Sequence, residues 1–177
     1  TRIDFKYSKA IYRYFLIGLL VPQVLALIPM FFVSRFVLLY NTRTILILAY
    51  AIFNLPFAVF TLTAFFKTLP KALEEAAMID GASYFTTFFK VMLPLAKPGL
   101  ITVGVFNFLE MWNEYMLALT LIADENKKTI SLAVLKIQAA QGVKAEWGAM
   151  FACCVMVILP VIVIYAIFQK KLTGGLT

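Results

Sequence analysis

Charged residues in this chain gather in short clusters, and between them lie long apolar runs. A helix needs about 20 apolar residues to cross a hydrocarbon core. Four windows reach that length: Tyr14–Val33, Thr44–Phe66, Pro98–Ala123 and Gly148–Phe168. The first carries Pro22, Gln23 and Pro29, the second Asn54 and Pro56, and the fourth Pro160. The third is long enough to span but contains Glu110, Asn113 and Glu114. Internal prolines read here as kinks, because neighbouring helices of a bundle can satisfy the carbonyls they free. The predicted class is therefore all-α, a polytopic bundle of four membrane-spanning helices joined by Ser34–Arg43, Lys67–Lys97 and Asp124–Trp147.

Composition agrees with the pattern. Of 177 residues 63% are hydrophobic, well above the roughly 45–50% apolar share of soluble domains. The net charge of +7 invites a nucleic-acid partner, but the basic residues flank apolar runs and form no stripe with interleaved aromatics. They orient spans instead. Arg2, Lys6, Lys9, Arg13, Lys67, Lys71, Lys90, Lys97, Lys170 and Lys171 belong to the two ends and the middle connector, against six basic residues in the other two connectors. That excess predicts both ends and the middle connector on the cytoplasmic side. The first window is too long for a signal-peptide core and is followed by three more spans. The chain opens on Thr1 rather than Met, which is expected of part of a longer protein.

Composition also excludes chemistries. There is no His, and the only cysteines, Cys153 and Cys154, are adjacent inside an apolar run, so no metal site and no His-dependent nucleophile can be assembled. No phosphate-binding G-x-x-x-x-G-K-[ST] occurs, and Gly174 and Gly175 lie past the last run. No cofactor is expected in this chain.

The middle connector, 67–97, is patterned like structure rather than loop. Pro70 suits a first helical turn, Glu74 and Glu75 come early, and Gly81 is placed to end the helix in a left-handed conformation. Ser83 can cap a second short helix through Phe88 and Phe89, with Leu93–Pro94 turning the chain into the third span. Ala76, Ala77, Gly81 and Ala82 would admit a partner's backbone, and Glu75 and Asp80 offer it charge. Spacing alone leaves a docking knob and a passive interfacial hairpin equally open. In the third window, a helical period puts Asn107, Glu110 and Glu114 on one face, with Asn113 near its edge. Ionisable groups at bilayer depth cost about 2.5–3.5 kcal/mol each, so that face requires an aqueous path or a partner. An interhelical hydrogen-bond clasp is the other reading, strongest for Glu114. Outside the membrane, Ile130, Leu132, Leu135 and Ile137 within 129–142 predict a short amphipathic helix lying partly in the outer surface.

Glu75-Ala76-Ala77, Gly81 four residues on, and Val91-Met92-Leu93-Pro94 resemble the EAA loop of importer-type ABC transporter permeases, with Val91 where Ile is usual. Asn54-Leu55-Pro56-Phe57, Trp112-Asn113-Glu114, Trp147-Gly148 and Phe168-Gln169-Lys170 are similar to the carbohydrate-uptake, maltose-type branch. The resemblance covers essentially all of residues 1–177 as one permease domain. Members usually have six spans, so it implies two more N-terminal ones.

The resemblance further implies a function. Residues 67–97 would be a cytoplasmic coupling loop seating Glu74, Glu75, Ala76, Ala77, Asp80, Gly81 and Ala82 against a separate ATPase subunit that binds ATP and Mg. A second permease subunit, identical or homologous, and an extracytoplasmic solute-binding protein would complete the complex in a bacterial cytoplasmic membrane. Asn107, Glu110, Asn113 and Glu114 would belong to the translocation path. The residues by themselves leave two alternatives: a structural or assembly subunit, and an intramembrane enzyme using Glu110 and Glu114 as acid and base.

Overall fold

A computed structural model of the chain describes residues 5–140 and 147–173. Arg2, Gln141, Gly142, Lys144, Glu146, Gly174 and Gly175, which entered the sequence reading, lie outside the described residues, as do the side chains of Lys170 and Lys171. Regular structure among the described residues is entirely helical. In chain order it comprises α1 (Ser8–Leu20), α2 (Gln23–Phe36), α3 (Arg43–Thr68), α4 (Ala72–Ile79), α5 (Tyr84–Thr87), a π turn (Phe88–Met92) and α6 (Leu93–Leu95). Then follow α7 (Lys97–Asn113), α8 (Met116–Leu121), a 3-10 turn (Glu125–Lys127), α9 (Ile130–Ala140) and α10 (Trp147–Thr173). α3 and the 147–169 part of α10 are long and apolar enough to cross a membrane; two further spans exist only if bent helix pairs are each counted as one.

The second and fourth windows are single helices, and Pro56 and Pro160 lie inside them as expected. The first window is not one helix. Its chain breaks at Val21–Pro22, and Pro22 takes an extended ψ of 127°, since proline has no N–H to continue the ladder and drives its predecessor out of the helical region. The third window also divides. α7 stops at Asn113 after 17 residues, about 26 Å of helix against the roughly 30 Å of a hydrocarbon core. Beyond the break at Glu114–Tyr115, α8 is a short buried helix rather than a continuation of the span.

The helices contribute to two compact units. One comprises Thr1–Leu19, Leu55–Phe106 and Phe168–Thr177. Within it small residues set the spacing. A Cβ on Gly18 would stand 3.0 Å from Pro56, and one on Gly99 would stand 2.7 Å from the ring of Phe65. Phe57 and Phe106 meet edge to face, centroids 6.0 Å apart, and the Lys67 ammonium lies over Tyr12. Between apolar helices in lipid this close packing, rather than exclusion of water, supplies the association.

The other unit comprises Leu20–Asn54 and Asn107–Ile167. Its centre is α8: Leu117, Ala118 and Leu121 are fully buried, together with Ile122. Ile45, Leu46 and Ala49 of α3 and Leu132 of α9 close around them, with Leu27 and Met30 of α2 alongside. α9 bears out the helix read from the sequence, as far as the described residues reach. Leu132 and Leu135 of its apolar stripe pack on the protein core, while Ile130 stays exposed.

Gly99 and Gly104 separate packing from helix propensity. Gly99→Ala drives its methyl into Cγ of Phe65, the root of a ring that cannot swing clear, and is expected to destabilise by about 1–3 kcal/mol. Gly104→Ala meets nothing within 4 Å and removes a flexible residue from α7, so stability should hold or rise by about 1 kcal/mol. Thermal unfolding of the two purified variants in one detergent checks the contrast, and equal melting temperatures would reject the Gly99–Phe65 contact.

Candidate functional site

The middle connector forms a helical hairpin. α4 begins after Pro70, with Glu74 and Glu75 in its first turn, where the N-terminal end of the helix dipole favours acidic groups. It ends as the sequence predicts. Gly81 has φ of +81°, the Gly81 N–H donates to the Met78 carbonyl, and the Ala82 N–H donates to the Ala77 carbonyl, each at 3.0 Å. These paired bonds satisfy the last carbonyls and reverse the chain within three residues. The Ser83 hydroxyl then accepts from the Thr86 N–H at 3.3 Å and starts the second helix. That helix continues beyond the predicted turn at Leu93–Pro94. The π turn of Phe88–Met92 places Pro94 at the beginning of a fresh α turn, where its missing N–H costs nothing, so the chain turns at Ala96 and meets α7 at 65°.

Glu75, Ala76, Asp80 and Gly81 are exposed on this hairpin, while Glu74, Ala77 and Ala82 are half-buried. Beside them the surface is unexpectedly apolar. Ile79 is 86% exposed, Phe85 79% and Tyr84 67%. Sequence reasoning did not single these residues out, because which face of a one- or two-turn helix stays outside cannot be read from so short a period.

A second polar group lies in the unit built on α8. Asn107 is half-buried on α7, its Oδ1 enclosed without a hydrogen-bond partner among the described residues, and Asn54 of α3 has its Oδ1 in the same condition. The Asn54 amide donates to the Tyr50 carbonyl at 2.9 Å, one turn back along α3. Glu110 is exposed on α7. Asn113, also exposed, donates back to the Leu109 carbonyl at 2.7 Å.

Glu114 does not share the face of Asn107 and Glu110, because α7 ends one residue before it. Its carboxylate accepts from the Leu117 N–H at 2.6 Å, the Ala118 N–H at 3.3 Å and the Tyr50 hydroxyl at 2.9 Å. This is the clasp reading of Glu114: one side chain caps α8 and ties it to α3. The preceding Trp112 holds the same corner. Its indole N–H donates to the Val157 carbonyl of α10 at 3.0 Å, its ring stacks on Phe108, and its own carbonyl accepts from the Ser131 hydroxyl of α9. Tyr50 and Ser131 were missed in the sequence because their partners are 64 and 19 residues away. The described residues hold no cluster of His, Cys, Asp and Glu suited to a metal ion.

The chain is 40% identical along its whole length to the diacetylchitobiose uptake system permease protein of Streptomyces coelicolor, covering 59% of that protein. It is 35% identical to the trehalose transport system permease protein of Mycobacterium tuberculosis, again along its whole length and over 65% of that protein. The fold matches a chain in the crystal structure of a bacterial ABC transporter involved in import of the acidic polysaccharide alginate. The TM-score is 0.76 at 26% identity, covering 94% of this chain and 62% of the other. The chain thus spans about three-fifths of the length of the curated relatives it matches. Since the model of that family also matches residues 1–175, the chain belongs to the binding-protein-dependent transport system inner membrane components.

Proposed function

We propose that the chain is the transmembrane permease subunit of an ATP-driven importer, forming half of a pathway for a sugar or oligosaccharide. The observation that carries this reading is the α4 hairpin. A short helix closed at Gly81, with acidic and small residues outside and uncovered Ile79, Tyr84 and Phe85 beside them, is a rigid knob suited to a protein cleft. In this reading α4 is the cytoplasmic coupling helix, seated in a separate ATPase subunit that holds ATP and Mg. A second permease subunit completes the pathway and an extracytoplasmic binding protein delivers the solute. Both ends of the chain then face the cytoplasm of a bacterium, as the distribution of basic residues favours. The sugar class is supported by the uptake systems named for the relatives.

Asn107 and Glu110 are assigned to the path. The first has an acceptor without a donor among the described residues and the second is an exposed carboxylate on the same helix, both suited to a hydrated or sugar-filled passage. Asn113 is placed at its edge. Glu114 supports the path by holding α8. An enzyme using Glu110 and Glu114 as acid and base fits poorly, because three donors already occupy the Glu114 carboxylate.

The coupling role is checked at Gly81. A Cβ there meets nothing within 4 Å of its own chain, so the Gly81→Asp protein should fold and assemble with only the modest strain of a left-handed residue. ATP-driven uptake should nevertheless fall about tenfold or more, the equivalent of at least 1.4 kcal/mol of lost docking. Normal uptake by that variant would reject the docking role. Orientation is checked with single cysteines: impermeant maleimide added outside intact cells should label Asn126→Cys and spare Ser8→Cys, and the reverse result would place α4 outside.

The two acids should also part company. Glu114→Ala leaves two buried N–H groups without acceptors and should cost about 1.5–3 kcal/mol of stability. Glu110→Ala should leave the melting temperature unchanged while uptake drops. A cysteine at position 107 or 110 should react with a small hydrophilic reagent in the resting or the ATP-bound complex. Protection of both positions in both states would remove them from the path.

A further inference from the structure

The connector between α2 and α3 contains a residue in an uncommon backbone conformation. Asn41 has φ of +61°, a region that asparagine enters more readily than most side chains. It makes four hydrogen bonds to residues 80 or more positions away in sequence. Its N–H donates to the Leu121 carbonyl at 3.0 Å, which occupies an acceptor left free at the end of α8. Its Oδ1 accepts from the Ala123 and Asp124 N–H groups at 3.1 and 2.9 Å. Its carbonyl accepts from the Lys127 ammonium at 3.0 Å. Two residues further on, Arg43 donates to the Asn126 carbonyl at 3.3 Å.

The turn that Asn41 grips also carries bonds of its own and one pair to α9. Asp124 accepts from the Asn126 N–H at 3.0 Å and pairs with Lys127 at 3.3 Å, while Glu125 pairs with Lys128 and with Lys136 of α9. These bonds hold the Asp124 and Glu125 carboxyls below their ordinary values, Asp124 first through the Asn126 N–H and Glu125 first through Lys128. The result is a charged turn of fixed shape whose Glu125 side chain stands 69% exposed. The local pairs set the outline of the turn, and Asn41 and Arg43 fasten it by hydrogen bonds to the start of α3.

We infer that Asn41 is a positioning residue, which holds the 123–128 turn in the shape that a solute-loaded binding protein engages. The inference rests on the importer reading above, in which this turn faces outward and the partner is a protein. Fixing the turn beforehand spares the encounter the cost of ordering it. Asn41 acts through the turn and needs no contact with the partner itself.

Two substitutions isolate the device. Asn41→Gly keeps the left-handed backbone and removes the Oδ1 acceptor, whereas Asn41→Asp keeps both. Each is placed in the full-length permease, assembled with its ATPase in lipid nanodiscs, and ATP hydrolysis is followed as the loaded binding protein is titrated in. Basal hydrolysis should match the parent in both. Half-maximal stimulation of Asn41→Gly should need about tenfold more binding protein, and Asn41→Asp should stay within about twofold of the parent. An Asn41→Gly complex stimulated like the parent overturns the positioning role. So does loss of basal hydrolysis with stimulation, which would make the Asn41 Oδ1 bonds a general support of the fold. A parent complex that hydrolyses ATP but ignores the binding protein overturns the importer reading, and the positioning role with it.

Discussion

Where α7 ends, the N–H groups of the following turn lose their acceptors in surroundings with little water to replace them, and the Glu114 carboxylate takes their place. Most of the unit around α8 depends on that substitution. With Leu117 and Ala118 N–H satisfied, the chain can leave a membrane-crossing helix and bury Leu117, Ala118 and Leu121 completely. The same carboxylate receives the Tyr50 hydroxyl, so α3 is brought to the corner by a polar bond as well as by packing. Charge-assisted bonds of this kind are short and strong, and in a poorly hydrated site the alternative is a set of unpaired groups costing several kcal/mol. One acid therefore lets an apolar sequence leave α7 after Asn113 and start a separate buried helix.

The hairpin of α4 solves the same problem of helix ends with backbone alone. Gly81 provides the conformation, Ala82 and Gly81 provide donors, and Ser83 begins the next helix two residues after the last has closed. Such a short helix has little cooperative stability of its own. Its caps and its packing against the second helix hold it, which leaves Ile79, Tyr84 and Phe85 uncovered. In the proposed reading of α4 as a coupling element, that combination gives a stiff short lever with an apolar contact surface that costs no rearrangement on docking.

Much of this fold was legible in the sequence because its determinants are local. The windows of α3 and α10, the start of α4, the Gly81 stop and the Ser83 cap each depend on residues within one turn of one another. The prolines were legible only in part. Pro56 and Pro160 sit inside helices, Pro22 breaks one, and Pro94 is absorbed behind a π turn. What differs is where each proline falls: inside a helix, after a break in the chain, or at the start of a fresh turn behind the π segment, where no N–H is needed.

The site residues divide along the same line. For Glu114 the helical period placed a carboxylate on a path-facing stripe, and the period stopped applying one residue too early. A donor on α3, 64 residues before it, decides the outcome, and no pattern within the 97–123 stretch reveals that donor. Asn41 shows the opposite limit. An asparagine between two apolar runs reads as ordinary turn composition, yet its four bonds reach Leu121, Ala123, Asp124 and Lys127. Polar residues in such a chain are few, and each must be assigned a partner before its role can be read. A residue whose partners are local can be assigned from spacing, whereas one whose partners are distant can be assigned only once the fold has brought them together.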